Sequence, residues 1–136
     1  MNKLFLVLLL VVIVVVAWAM KGQNIKSDQF ATVGVDEFEK LLTDTAQVVC
    51  LDVRTPSEFR EGHLRGAILI DVKTDSFMLA ARDQLPKDKT IAVYCRSGRR
   101  SATAASMLSD EGYKMVNLDG GINAWKNAGK LIIKEK

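Results

Sequence analysis

The sequence predicts an α/β sandwich built around a parallel sheet of about five short strands. Between residues 31 and 128, short strand-like apolar runs alternate with helical patterns. The runs at 47–53 and 90–94 are almost continuously apolar, as expected of strands covered on both faces. The intervening helices carry recognisable start and stop residues, which suits right-handed crossovers between parallel strands.

Ala31-Thr32-Val33 reads as the first strand. Asp36 is expected to cap the following helix, with Glu39 at the reciprocal capping-box position and Phe38, Leu41 and Leu42 on its apolar face. Gln47 to Val53 is the second strand, with Cys50 inside it as a small buried hydrophobe. Thr55-Pro56-Ser57-Glu58 is a strong helix start, with Thr at the cap, Pro at the first helical position and Glu at the third. That helix ends near Gly62, and Gly62 to Ala67 turns into the strand Ala67–Asp71.

Asp75 to Leu85 predicts a helix with Phe77, Ala81 and Leu85 on one face, stopped by Pro86. Thr90 to Tyr94 is a strand leading straight into Cys95. Ala102 to Glu111 predicts a small-residue helix ended by Gly112. Met115 to Leu118 is the last core strand, and Asp119-Gly120-Gly121 is a tight turn. A final helix turns Ile122 and Trp125 inward and ends at Gly129. Residues 131–136 form a tail with no assigned structure.

Before this domain, Leu4 to Met20 is an unbroken apolar run of 17 residues preceded by Lys3. A bilayer span needs about 20 residues, range roughly 17–25. A signal-peptide apolar region is roughly 7–15 residues. Ala17-Trp18-Ala19 offers a cleavage pattern, yet the apolar run reaches that site without a polar break. Residues 1–21 therefore read as a signal peptide or a membrane anchor, 22–29 as a linker, 30–130 as the domain and 131–136 as the tail. Both readings place the domain outside the cytoplasmic membrane, in a periplasm or at a cell surface, secreted or anchored through residues 4–20.

The formal net charge is only +3, and no polybasic stretch appears, so nucleic acid is not an expected partner. Two cysteines, Cys50 and Cys95, make no disulfide framework, and no Cys/His cluster suggests a metal or other cofactor. Cys50 sits inside its strand while Cys95 follows the end of its own, a stagger that argues against their pairing. His63 is the only histidine, so most acid–base chemistry would have to use that residue.

The chemistry concentrates in Tyr94-Cys95-Arg96-Ser97-Gly98-Arg99-Arg100-Ser101. A cysteine reacts as thiolate, and its free pKa of about 8.5 falls at a helix N-terminus and beside Arg or Lys. Cys95 has both features. Successive N–H groups curling back on the sulfur would form an anion-binding nest, with Gly98 permitting the turn. The plainer reading is a buried cysteine ending a strand, followed by a basic, solvated turn.

Three segments carry a further reading. They are Leu51-Asp52-Val53-Arg54-Thr55-Pro56-Ser57-Glu58-Phe59 continuing through Glu61-Gly62-His63-Leu64-Arg65-Gly66-Ala67, the Cys95 loop, and Leu118-Asp119-Gly120-Gly121-Ile122-Asn123-Ala124-Trp125. In this order they resemble the signatures of the rhodanese (sulfurtransferase) family over about residues 30 to 130. The resemblance implies a three-layer rhodanese-like sandwich, a single-domain rhodanese with an added export or anchor segment. It also implies ping-pong transfer of sulfur from a donor such as thiosulfate, through a Cys95 persulfide, to cyanide, a thiol or a protein acceptor. Arg96, Ser97, Gly98, Arg99, Arg100 and Ser101 would bind the transferred sulfur and the anionic donor. No metal or cofactor is implied.

His63 then reads as a turn residue bonded to backbone, Arg54 with Glu58 as a structural ion pair, and Trp125 as core. A Cys-x5-Arg phosphatase loop is the first competitor, but here Arg100 stands five residues after the cysteine, Ser101 six, and Tyr94 rather than His precedes it. A binding module, and a sulfur carrier that serves a partner protein, are the other two.

Overall fold

The apolar runs become the strands of one sheet because each supplies side chains to both faces. The computed structural model describes residues 2–23 and 29–135, with the side chains of 15–23 outside the description. Its sheet comprises β1 (Phe30–Val33), β2 (Val48–Asp52), β3 (Ile68–Leu69), β4 (Thr90–Tyr94) and β5 (Lys114–Leu118). They pair in the order β1-β5-β4-β2-β3, every pair parallel. The central strand is therefore β4, whose end delivers Cys95.

The helices are α1 (Lys3–Gln23), α2 (Val35–Leu42), α3 (Pro56–Glu61), α4 (Phe77–Gln84), α5 (Arg99–Asp110) and α6 (Gly121–Asn127). Strand periodicity divides the core in two. Ile91, Val93 and Cys95 of the β4 segment pack with Phe77 and Ala81 of α4 and Ala104, Ala105 and Leu108 of α5. Ala92 and Tyr94 face the other way, toward Phe38 of α2 and Ile122 and Trp125 of α6. The result is the expected three-layer sandwich, with Phe38 and Trp125 edge to face at 6.4 Å.

Several boundaries differ from the sequence reading. Gly34, not Asp36, caps α2, and no side chain caps it. Phe38 N–H donates to Gly34 O at 3.0 Å, so Asp36 and Glu37 fall in the first turn, where they complement the positive helix end. β3 shrinks to two residues because it is an edge strand paired only with the end of β2. α4 starts at Phe77 rather than Asp75, after a turn in which Phe77 N–H donates to Thr74 O. α5 starts at Arg99, three residues before Ala102, since Gly98 in the left-handed region turns the chain directly into the helix. The capping box at Thr55 and Glu58 forms as read. In the tail, His63 and Ile133 form an antiparallel bridge.

The α1 backbone covers the apolar run, and its side chains from Leu4 to Val14 are exposed. Among the described residues no helix is long and apolar enough to cross a membrane. The side chains of Ala17-Trp18-Ala19, read as a cleavage pattern, lie outside the described residues, as do residues 24–28 of the linker.

Candidate active site

The carboxyl ends of β2 and β4 lie side by side, Asp52 opposite Tyr94. Both side chains are fully buried, so their polar atoms need partners. Tyr94 Oη donates to Asp52 Oδ2 at 2.6 Å and accepts from Leu64 N–H at 3.0 Å. Arg54, 3% exposed, folds back on Asp52 through Nη2 at 2.7 Å and Nε at 3.0 Å. Its Nη2 also donates to Gly62 O at 2.7 Å. Burial disfavours the Arg54 charge, but the hydrogen bond and charge of Asp52 outweigh it and raise its pKa. Burial first, then the Asp52 charge, holds the Tyr94 phenol well above its ordinary range. This network fixes the floor on which the Cys95 loop begins.

The expected Arg54–Glu58 pair is absent. Arg54 belongs to Asp52, and Glu58 belongs to Arg100, at 2.7 and 2.8 Å from its two guanidinium nitrogens. The capping box explains the exchange: it points the Glu58 carboxylate across Thr55 toward the first turn of α5. The Arg100 hydrogen bond is the main reason the Glu58 carboxyl falls to about 2, with Thr55 N–H assisting against the cost of burial.

Cys95 is 1% exposed and its sulfur meets converging donors. Gly98 N–H donates to Sγ at 3.1 Å and Ser101 Oγ donates to it at 3.3 Å. Burial pushes the thiol up. The Ser101 hydroxyl and the backbone N–H groups of Ser101, Gly98 and Ser97 outweigh it, so the pKa sits below its ordinary value. Hydrogen bonds therefore lead the lowering, ahead of arginine charge. Arg96, Ser97 and Arg99 have exposed side chains around the rim, and Gly98 and Arg100 are half-buried.

The loop is held from behind by α6. Ile122 N–H donates to Cys95 O at 2.9 Å, and Asn123 N–H to Arg96 O at 3.1 Å. This needs Gly121, since a Cβ there would stand 2.5 Å from Cys95 O and 2.6 Å from the Arg96 carbonyl. The sequence reading assigned Gly121 only to a tight turn. The doubled glycine before an apolar helix was the available signal for a close backbone approach.

His63 is a turn residue as read. Its Nδ1 lies 3.0 Å from Phe59 O, and its ring stacks on Phe59 at 3.7 Å. Cys50 is a free, buried thiol paired in register with Ala92, three residues before the equally free Cys95. Among the described residues no cluster of three or more His, Cys, Asp or Glu side chains comes together to hold a metal.

The family model described as rhodanese-like domain matches residues 34–128. The chain belongs to the rhodanese-like domain family. A sulfurtransferase of Allochromatium vinosum is 34% identical over 99 residues, covering 72% of this chain and 90% of that protein. Thiosulfate sulfurtransferase GlpE of Pseudomonas aeruginosa is 33% identical over 102 residues, covering 74% and 88%. The crystal structure of a rhodanese-related protein from Thermoplasma volcanium superposes with a TM-score of 0.69 at 29% identity, covering 78% of this chain and all of that one. The chain is thus a rhodanese-family sulfurtransferase. In this rhodanese domain Cys95 directly follows the end of the central strand.

Proposed function

We propose that the protein moves sulfane sulfur from a small anionic donor, thiosulfate by kinship, through a persulfide on Cys95. The supporting observation is the sulfur itself, at the closed end of a loop with Gly98 N–H and Ser101 Oγ within 3.3 Å. In the first half-reaction the Cys95 thiolate attacks the outer sulfur of thiosulfate. The S–S bond of the donor breaks, sulfite leaves with the electron pair, and an Sγ–S bond forms. In the second, cyanide, a thiol or a protein acceptor attacks the terminal sulfur, and the thiolate returns.

Neither step requires a histidine base, in keeping with a His63 committed to its turn. The N–H groups from Arg96 to Ser101 receive the negative charge of the persulfide. Arg96 and Arg99 attract the donor anion, while Arg100, bound to Glu58, holds the shape of the loop. The loop length also suits a single sulfur: Ser101, not an arginine, stands six residues after Cys95 and bonds to Sγ. Phosphate hydrolysis gains no support from this arrangement.

Leu4–Met20 directs the domain to or across the cytoplasmic membrane, as a cleaved signal or an uncleaved anchor. Blotting membrane and soluble extracytoplasmic fractions tests this. A shortened form outside, or a full-length form in the membrane, agrees, and a full-length cytosolic form contradicts it. For the activity, the test is steady-state thiosulfate–cyanide turnover by the full-length chain. Parallel double-reciprocal lines that vanish in Cys95→Ser are expected. Turnover that survives Cys95→Ser overturns the assignment.

A further inference from the structure

A polar cleft of about 120 Å³ opens beside the Cys95 loop, between α3 and α6. Arg96, Asn123 and Lys126 line it, together with Glu58, Glu61 and Arg54. Two of its five charged side chains are already committed. Arg54 pairs with Asp52 and Glu58 with Arg100. No carboxylate lies within ion-pair distance of Arg96 or Lys126 among the described residues. Two cations and the Asn123 amide therefore face a single exposed carboxylate, Glu61, and the uncommitted charge of the cleft is positive.

The backbone fixes how this cleft relates to the reactive sulfur. Arg96 is the residue after Cys95, and Asn123 N–H holds Arg96 O at 3.1 Å. Lys126 follows Asn123 by three residues on α6, so the two share a helix face. The cleft is thus built on the same hydrogen bonds that seat the loop. Its volume falls below the roughly 300–1,000 Å³ of sites for drug-sized molecules, and suits a small charged group.

We infer that Arg96, Asn123 and Lys126 form an anion subsite that takes the oxyanion or carboxylate end of a small substrate whose other end reaches Cys95. This rests on the sulfurtransferase reading and adds a helix outside the cysteine loop to the binding site. Two substrates carry the required chemistry. One is the oxyanion end of the donor, and the other is the carboxylate of a small thiol acceptor.

The first test does not depend on sulfur transfer. Cys95 of the full-length chain is alkylated with iodoacetate, an anion, and with iodoacetamide, its neutral counterpart. In Lys126→Glu and in Arg96→Gln the iodoacetate/iodoacetamide rate ratio should fall by about threefold or more, as expected for loss of a nearby charge. The iodoacetamide rate of Lys126→Glu should stay within a factor of about two, which also reports that the loop is intact. An unchanged ratio in both variants overturns the subsite. Ping-pong kinetics then separates the sources. A raised KM for thiosulfate with cyanide unaffected assigns the subsite to the donor. A raised KM for a carboxylate-bearing thiol, but not for its amide, assigns it to the acceptor. If neither KM moves, the inference fails while the Cys95 chemistry stands, and if wild type transfers no sulfur it is the activity that fails.

Discussion

The hydroxyl of Ser101 lies 3.3 Å from Cys95 Sγ and donates to it from the first turn of α5. The two residues are six apart in sequence, yet they share one buried site because Gly98, at φ +103°, turns the loop into the helix between them. The sulfur therefore receives its donors from backbone and one short side chain, rather than from the guanidinium ends of arginines.

Ser101→Ala tests the share of that hydroxyl. A hydrogen bond to a charged group is worth about 1.5–3 kcal/mol, and one pKa unit is about 1.4 kcal/mol. The thiol, now held below its ordinary value by this hydroxyl and the loop N–H groups, should rise toward that value. The pH profile of iodoacetamide alkylation reads this directly: its midpoint shifts upward, so alkylation at neutral pH slows.

Gly121→Ala should undo the seat of the loop. The new Cβ meets the backbone of Cys95 and Arg96 at 2.5–2.6 Å, and φ of +58° adds strain for any other residue. A loss of about 2 kcal/mol or more in urea unfolding is expected, together with loss of the depressed thiol pKa.

Much of the fold was legible because local chemistry and tertiary structure agree in it. Thr55-Pro56-Ser57-Glu58 forms its capping box as read, and Thr90–Tyr94 is a strand at the expected residues. Position Cys95 followed from the same pattern. What stayed hidden depends on contacts between distant segments. Arg54 has two carboxylates within four residues, and sequence does not reveal that burial of Asp52 claims it while Arg100, 42 residues on, claims Glu58. Likewise Asp36 looked like a cap, but the path of the chain from β1 places the helix start at Gly34. The docking of α6 on the Cys95 loop rests on a missing side chain, which leaves only a doubled glycine in the sequence.

Arg54→Ala should be the most damaging of the buried substitutions. It leaves Asp52 charged and buried with no cation beside it, supported only by the Tyr94 hydroxyl and the backbone N–H of residue 54, a situation that costs about 3–5 kcal/mol. Arg54→Lys keeps the charge but loses the planar fork, and should fall between the two. Thermal unfolding monitored by circular dichroism ranks all three.

The Glu58–Arg100 clamp makes a prediction about acid. The Glu58 carboxyl falls from 4.5 to about 2 on folding, so its contribution is complete above the unfolded value and is lost as pH drops toward 2. Between pH 6 and pH 3 the wild type should lose about 1–2 kcal/mol that Glu58→Gln does not lose. Urea unfolding of both proteins at the two pH values measures the difference.

Intact-mass analysis of the full-length chain after exposure to thiosulfate tests the central assignment most directly. The expected result is one added sulfur atom, mapped to the Cys95 peptide, absent from Cys95→Ser and discharged by cyanide. A wild-type chain that gains no sulfur, or that carries it on Cys50, would contradict the assignment.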